Sequence, residues 1–125
     1  DGFEDTESYL NFMDSFFGSI DANDLLGMLN TWQMGDIGKH EKFNNNTKKA
    51  LANINCPALV MPSSTDLSFP ARNNIPEVKE MPNAELKVIN TKHGHLAGGM
   101  STTLTSQEDV AFIDKNIREF LKKIT

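Results

Sequence analysis

Ala58-Leu59-Val60-Met61 is a continuous apolar run closed off by Pro57 and Pro62, and it constrains the fold more than any other stretch. An uninterrupted run of that kind between prolines reads as a buried central strand. A second run, Glu85-Leu86-Lys87-Val88-Ile89-Asn90, alternates apolar and polar residues and reads as a strand nearer a sheet edge. Between them Ile75, Val78 and Met81 sit three apart, which predicts a short helix with Pro76 in its first turn and Pro82 at its end. Strand, helix, strand is a crossover unit, so the two strands should be parallel. Two parallel strands are too few for an independent sheet. All-parallel sheets are also normally covered on both faces. The chain is therefore expected to complete a larger sheet whose other strands it does not contain.

Helices are predicted at both ends. Thr6-Glu7-Ser8 can cap a helix whose apolar face is Leu10, Met13, Phe16, Phe17 and Ile20, with Gly18 near its end. Asp21 reads as the N-cap of a second helix, with Asp24 in its first turn and Leu25, Met28, Leu29 and Trp32 as its stripe. Gly35 and Gly38 close it. Such a hairpin must bury its apolar face on something else. Lys42 to Lys49, with Asn44-Asn45-Asn46, reads as a polar surface connector, and Thr47 as the cap of a short helix using Ala50, Leu51 and Ile54. In the last helix Ser106 is the cap and Asp109 completes a capping-box-like pattern. Val110, Ile113, Ile117, Phe120, Leu121 and Ile124 are its expected buried face, and Lys122 and Lys123 suit its C-terminal dipole.

Composition narrows the function classes. With 125 residues and 38% hydrophobic content the chain fits one domain. A net charge of -5 argues against a nucleic-acid partner, and the pairs Lys48-Lys49 and Lys122-Lys123 are too small to make a phosphate-binding patch. The single Cys56 rules out an internal disulfide and suits a reducing, cytoplasmic compartment. Its place before an apolar run predicts a buried, inert thiol. No apolar stretch approaches the roughly 20 residues that span a bilayer, and no secretory signal pattern is present, so no membrane association is expected.

Chemistry concentrates in two loops, Pro62-Ser63-Ser64-Thr65-Asp66 and Lys92-His93-Gly94-His95. Each follows a predicted strand, the edge at which sites of open α/β sheets collect. A carboxylate after one strand and an imidazole after the next is the second half of a Ser…Asp…His order. No G-x-S-x-G elbow occurs in the chain. Asp66 can accept from imidazole Nδ1, fix the tautomer and stabilise the imidazolium. Taken singly, Asp66 reads more simply as a turn aspartate and His95 as a loop histidine without a role; their order and placement after consecutive strands bring them together. Gly94 favours His95 over His93, because glycine permits the sharp turn that returns the imidazole over the sheet edge. His40 reads as a surface residue, and the three histidines make no metal motif. Gly98-Gly99 reads as a flexible loop rather than a phosphate cradle, and Trp32 as core or subunit contact.

Several segments in order carry a family resemblance: Asp21-Ala22-Asn23-Asp24-Leu25-Leu26, Thr31-Trp32-Gln33, Leu59 through Asp66, Met81-Pro82-Asn83-Ala84-Glu85-Leu86, and Gly94-His95. They resemble the C-terminal part of homoserine O-acetyltransferase-like α/β-hydrolase-fold proteins. The resemblance implies an α/β fold of parallel strands with flanking helices. Residues 1–40 would be a helical lid, 41–49 a polar connector, and 50–125 the C-terminal part of the core. It implies Asp66 as catalytic acid and His95 as catalytic base. Their partner is the N-terminal part of the same protein, which carries the nucleophilic serine. It further implies a two-step acyl transfer from acetyl-CoA to an acceptor hydroxyl, with no bound cofactor and no metal, and a possible homodimer through the lid. Homoserine-specific members carry an acidic residue after the histidine; Leu96 stands there and cannot pair with an ammonium group. Two other readings stay open: a serine esterase of the same fold with water as acceptor, and a non-catalytic interaction module built on the aromatic N-terminal helices.

Overall fold

A computed structural model describes residues 3–98 and 106–125; Gly99, the second glycine of the predicted loop, lies outside the described residues. The chain divides into two compact units, Asp1–Asp36 and Ile37–Thr125.

The first unit is a helical hairpin of α1 (Thr6–Gly18) and α2 (Ala22–Met34). Asp5, one residue before the expected cap, starts α1 by accepting from the Ser8 amide at 2.7 Å. Asp21 caps α2 as its sequence predicts, accepting from the Asn23 amide at 2.7 Å. The cap side chains satisfy amide groups that the first turn leaves unpaired. Neither helix contains a buried residue. Phe16 and Trp32 keep more than half of their surface exposed. Phe17, Leu25, Met28, Leu29 and Trp32 line an apolar groove of about 620 Å³.

The second unit begins with two short 3₁₀ turns, Ile37–Lys39 and Glu41–Phe43, followed by α3 (Thr47–Ala52). The expected connector is thus partly ordered into turns. His40 caps the second turn through Nδ1, which accepts from the Lys42 amide, and Asn46 rather than Thr47 caps α3. Gly38 is buried where a Cβ would stand 2.5 Å from the Thr47 nitrogen, so the backbones meet directly.

Next come β1 (Ala58–Val60), α4 (Ala71–Glu80) and β2 (Ala84–Leu86). The strands pair in parallel with Ala58 opposite Ala84 and Val60 opposite Leu86, the outcome a crossover unit requires. The same offset carries on to a bridge between Ser63 and Ile89. Pro62 has no N–H to give, but its carbonyl accepts from Ile89 and Ser64 N–H donates to the Ile89 carbonyl. The ladder therefore reaches the acid loop without a break in register. α3 and β2 both pack on α4, and among the described residues Ala50, Pro70 and Ile89 are buried apolar residues of this small core.

Four expectations need correction. β1 is half-buried along its whole length rather than enclosed, because β2 is its sole strand neighbour among the described residues. α4 starts at Ala71, which puts Pro76 inside the helix instead of in its first turn. Its inner face is Ala71, Asn74 and Val78, with Ile75 turned outward. In α5 (Gln107–Ile124) the buried residues are Asp109 and Asn116, while Val110, Ile117, Leu121 and Ile124 are exposed. Ile113 and Phe120 of the expected face are half-buried; periodicity finds an apolar stripe, but what covers it is set by tertiary contacts, and the covered side here is Asp109, Phe112, Ile113, Asn116 and Phe120. Cys56 is exposed; it precedes Pro57 in the approach to β1 and takes no part in the strand.

Candidate active site

The parallel ladder delivers two loops to one sheet end. The first leaves β1 through Pro62 and Ser63 and reaches Asp66; the second leaves β2 through Ile89 and reaches His95 in a 3₁₀ turn, Gly94–Leu96. Gly94 has φ +55°, a left-handed conformation that glycine adopts without a Cβ penalty, and this turn presents the imidazole. The structure brings together the two residues singled out from the sequence: His95 Nδ1 lies 3.0 Å from Asp66 Oδ2.

Asp66 is 9% exposed, and its other oxygen is also committed. Oδ1 accepts from the Ser68 amide at 2.7 Å and from the Phe69 amide at 3.0 Å. The Phe69 amide and, next, the hydrogen bond from His95 hold the carboxyl below the usual carboxylate range. An ionised carboxylate can only accept, so His95 Nδ1 carries the hydrogen and donates it. That fixes the neutral tautomer with Nε2 as the acceptor. Phe69 also lies against His95, ring centroids 5.4 Å apart. The His95 side chain remains about half exposed and lines a cavity of about 330 Å³ with Val60, Pro62, Asp66, Phe69 and Asn74.

The remaining candidates do not join this site. His93 ends the approach to the Gly94 turn as its N-cap, and His40 is an exposed turn cap. Gly98 has φ +91°, and a Cβ there would come within 2.9 Å of the Ile113 side chain, so its role is close approach to α5. Among the described residues no group of three His, Cys, Asp or Glu is placed to hold a metal ion. None of their helices is long and apolar enough to cross a membrane.

Sequence reasoning missed the polar groups that tie the two loops together. Thr65 and Ser64 hydroxyls donate to the Thr91 carbonyl, and Thr91 in turn donates its hydroxyl to Asp109 on α5. Asp109 carries a helix-start signal, and nothing local in the sequence points it toward Thr91.

No protein-family model matches the chain. Two curated proteins are similar to it: the "Probable esterase Cgl0839" of Corynebacterium glutamicum, 36% identical over 97% of the chain, and the ethyl acetate hydrolase of Pseudomonas veronii, 35% identical over 76%. Solved structures agree. An acetylester hydrolase from Corynebacterium glutamicum superimposes with a TM-score of 0.80 at 35% identity, and the acetyl esterase MekB with 0.79 at 31%, each over 97% of the chain. The chain spans about a third of the length of these relatives: 33% of the first curated protein and 27% of the second, and 33% and 34% of the two structures. None of these relatives is named as a homoserine O-acetyltransferase. The homologues of this chain are esterases of the α/β-hydrolase type, and its mixed α/β fold with a parallel strand pair matches a portion of theirs.

Proposed function

We propose that this chain supplies the acid and base of a serine-dependent esterase acting on small acetate esters, the serine being contributed by a part of the protein outside these residues. The observation that carries the reading is the 3.0 Å contact between Asp66 Oδ2 and His95 Nδ1 at the end of the parallel strands. The hydrolytic activities of the relatives favour water over an acceptor alcohol.

The chemistry follows from the tautomer. With Nδ1–H tied to Asp66, Nε2 takes the proton from the serine hydroxyl as that oxygen attacks the ester carbonyl carbon. Asp66 stabilises the imidazolium so formed. The tetrahedral intermediate collapses, the C–O bond to the alcohol breaks, and Nε2 returns the proton to the departing alcohol. Water then attacks the acetyl-serine and gives its proton to Nε2. The second intermediate collapses, the C–O bond to the serine breaks, Nε2 returns its proton to the serine oxygen, and acetic acid leaves and ionises to acetate in water. Residues 1–40 act in this reading as a helical lid and 50–125 as the C-terminal part of the core, joined by 41–49. The open side of β1 receives a strand from the rest of the protein, and the unfilled face of the α1–α2 hairpin pairs with a second copy.

The test uses the complete protein with ethyl acetate and p-nitrophenyl acetate, and separately with acetyl-CoA plus an acceptor alcohol. The proposal expects turnover of the esters to acetate and alcohol. It fails if neither ester is hydrolysed. Rapid acetyl transfer from acetyl-CoA with no net hydrolysis would restore the acyltransferase reading. Light scattering checks the pairing: a dimer is expected, and a monomer with no response to Trp32→Glu contradicts it.

A further inference from the structure

The geometry points to Thr91 as a positioning residue for His95, acting through a relay that starts at the buried carboxylate of Asp109; the inference rests on the esterase reading above. Asp109 is 5% exposed in the first turn of α5, and its Oδ2 accepts from Thr91 Oγ1 at 2.7 Å. The Ser106 hydroxyl caps the Asp109 amide at 3.3 Å, so the helix start and the carboxylate are held separately. A helix-start acid needs only to face solvent near the first turn. This one is buried, where an unpartnered carboxylate would be costly, and among the described residues the hydroxyl that reaches it comes from the base loop.

The direction of each bond is fixed. A carboxylate only accepts, so Thr91 Oγ1 donates its single hydrogen to Asp109. Its lone pairs are then left for the His93 amide, which donates to it at 3.1 Å. Across the loop, Thr65 Oγ1 donates to the Thr91 carbonyl at 2.8 Å and accepts from the Gly94 amide at 3.1 Å. Ser64 Oγ contacts both the Thr91 carbonyl and the Thr91 amide, each at 3.2 Å. The successive amides of residues 93 and 94 are therefore each held by a threonine hydroxyl whose own proton is already committed. The next residue is His95. Thr91 is the junction: it anchors the base loop to α5 on one side and to the acid loop on the other. The backbone on either side of the Asp66–His95 contact is thus held by groups beyond those that touch the two side chains.

The experiment compares wild type, Thr91→Val and Thr91→Ser in the complete enzyme. Valine keeps the shape and removes the hydroxyl. Misplacement of a catalytic group on the ångström scale costs about 10²-fold in rate, so T91V should lower kcat for p-nitrophenyl acetate by that order with KM little changed, and T91S should restore it. The downfield proton resonance of His95 Nδ1–H should weaken or broaden in T91V and return in T91S, a change that loss of stability alone does not produce in folded protein. Where T91V does not fold, Thr65→Val removes the hydroxyl on the exposed side of the same junction, and the same fall in kcat is expected at a near-normal melting temperature. Unchanged kcat and an unchanged resonance in T91V, or in T65V if that is the folded variant, overturn the inference. A wild-type enzyme that hydrolyses no acetate ester overturns the esterase reading instead, while the resonance still decides the relay.

Discussion

Replacing Asp66 by asparagine tests the orientation of the base in a way that deletion does not. Asp66 Oδ1 already accepts two amide hydrogens, from Ser68 and Phe69. An asparagine can keep both only by placing its carbonyl oxygen there. Its NH₂ group then faces His95 Nδ1, and a donor facing a donor is repulsive, so the imidazole must move its hydrogen to Nε2. Nε2–H cannot take a proton from a serine. The substitution should therefore leave the fold nearly intact and lower kcat by about 10³- to 10⁴-fold, the range for a triad held in the wrong tautomer. Steady-state hydrolysis of p-nitrophenyl acetate by the complete enzyme measures the loss. Nitrogen-15 chemical shifts of the His95 ring report which nitrogen is protonated. Activity within about tenfold of wild type, or a ring that keeps its hydrogen on Nδ1 while activity collapses, would refute the reasoning.

Other outcomes follow from the scaffold. Gly38→Ala would push a Cβ to 2.5 Å from the Thr47 nitrogen, and since backbone cannot step aside as a side chain does, urea melts should show a loss of about 3 kcal/mol; a neutral result would contradict the close approach. Pro76 sits inside α4, where it cannot donate to the carbonyl one turn back, so Pro76→Ala should stabilise by about 2 kcal/mol after allowance for the more flexible unfolded chain, and a lowered melting temperature would argue that the proline is there for packing. Among the described residues four carboxyls are held below their ordinary range: Asp5 by the Ser8 amide, Asp66 by the Phe69 amide and then His95, Glu85 by Lys123, and Asp114 by Arg118. A depressed folded value means the stability is present above the unfolded value and lost as pH falls through the folded one. The melting temperature should be flat near neutrality and drop below about pH 4, and a curve unchanged down to pH 3 would contradict the assignment.

The elements that positioned the site were legible because they rest on local chemistry. Proline-bounded apolar residues marked β1, alternation marked the second strand, and a handed crossover made them parallel. Asp66 and His95 then fell at the same sheet end because both follow strands of one ladder. The Asp21 and Ser106 caps were legible for the same reason: each is decided within a single turn. What the sequence did not disclose depends on groups far apart in the chain. Pro76 looked like a helix start because proline favours that place, yet Pro70 and the packing of Ala71, Asn74 and Val78 begin the helix earlier. Asp109 fits a capping box by spacing, but its carboxylate turns to Thr91, a choice that only tertiary contact decides. The stripe Val110, Ile117, Leu121 and Ile124 was read correctly as apolar, whereas burial requires a surface to cover it. The expectation of acetyl transfer came from the likeness of five ordered segments, from Asp21–Leu26 to Gly94-His95, whereas the relatives found are named as esterases; Leu96 was the local sign against homoserine.

The most direct measurement is the reaction of the complete enzyme with p-nitrophenyl acetate, followed from the first turnover, in wild type and in His95→Ala. The account predicts rapid acetylation and steady release of acetate in wild type. In the variant, both acetylation and turnover should fall by about 10³-fold or more, because the serine has lost the group that takes its proton. A His95→Ala enzyme that acetylates and turns over at the wild-type rate would contradict the claim that these two loops carry the acid and base of an esterase.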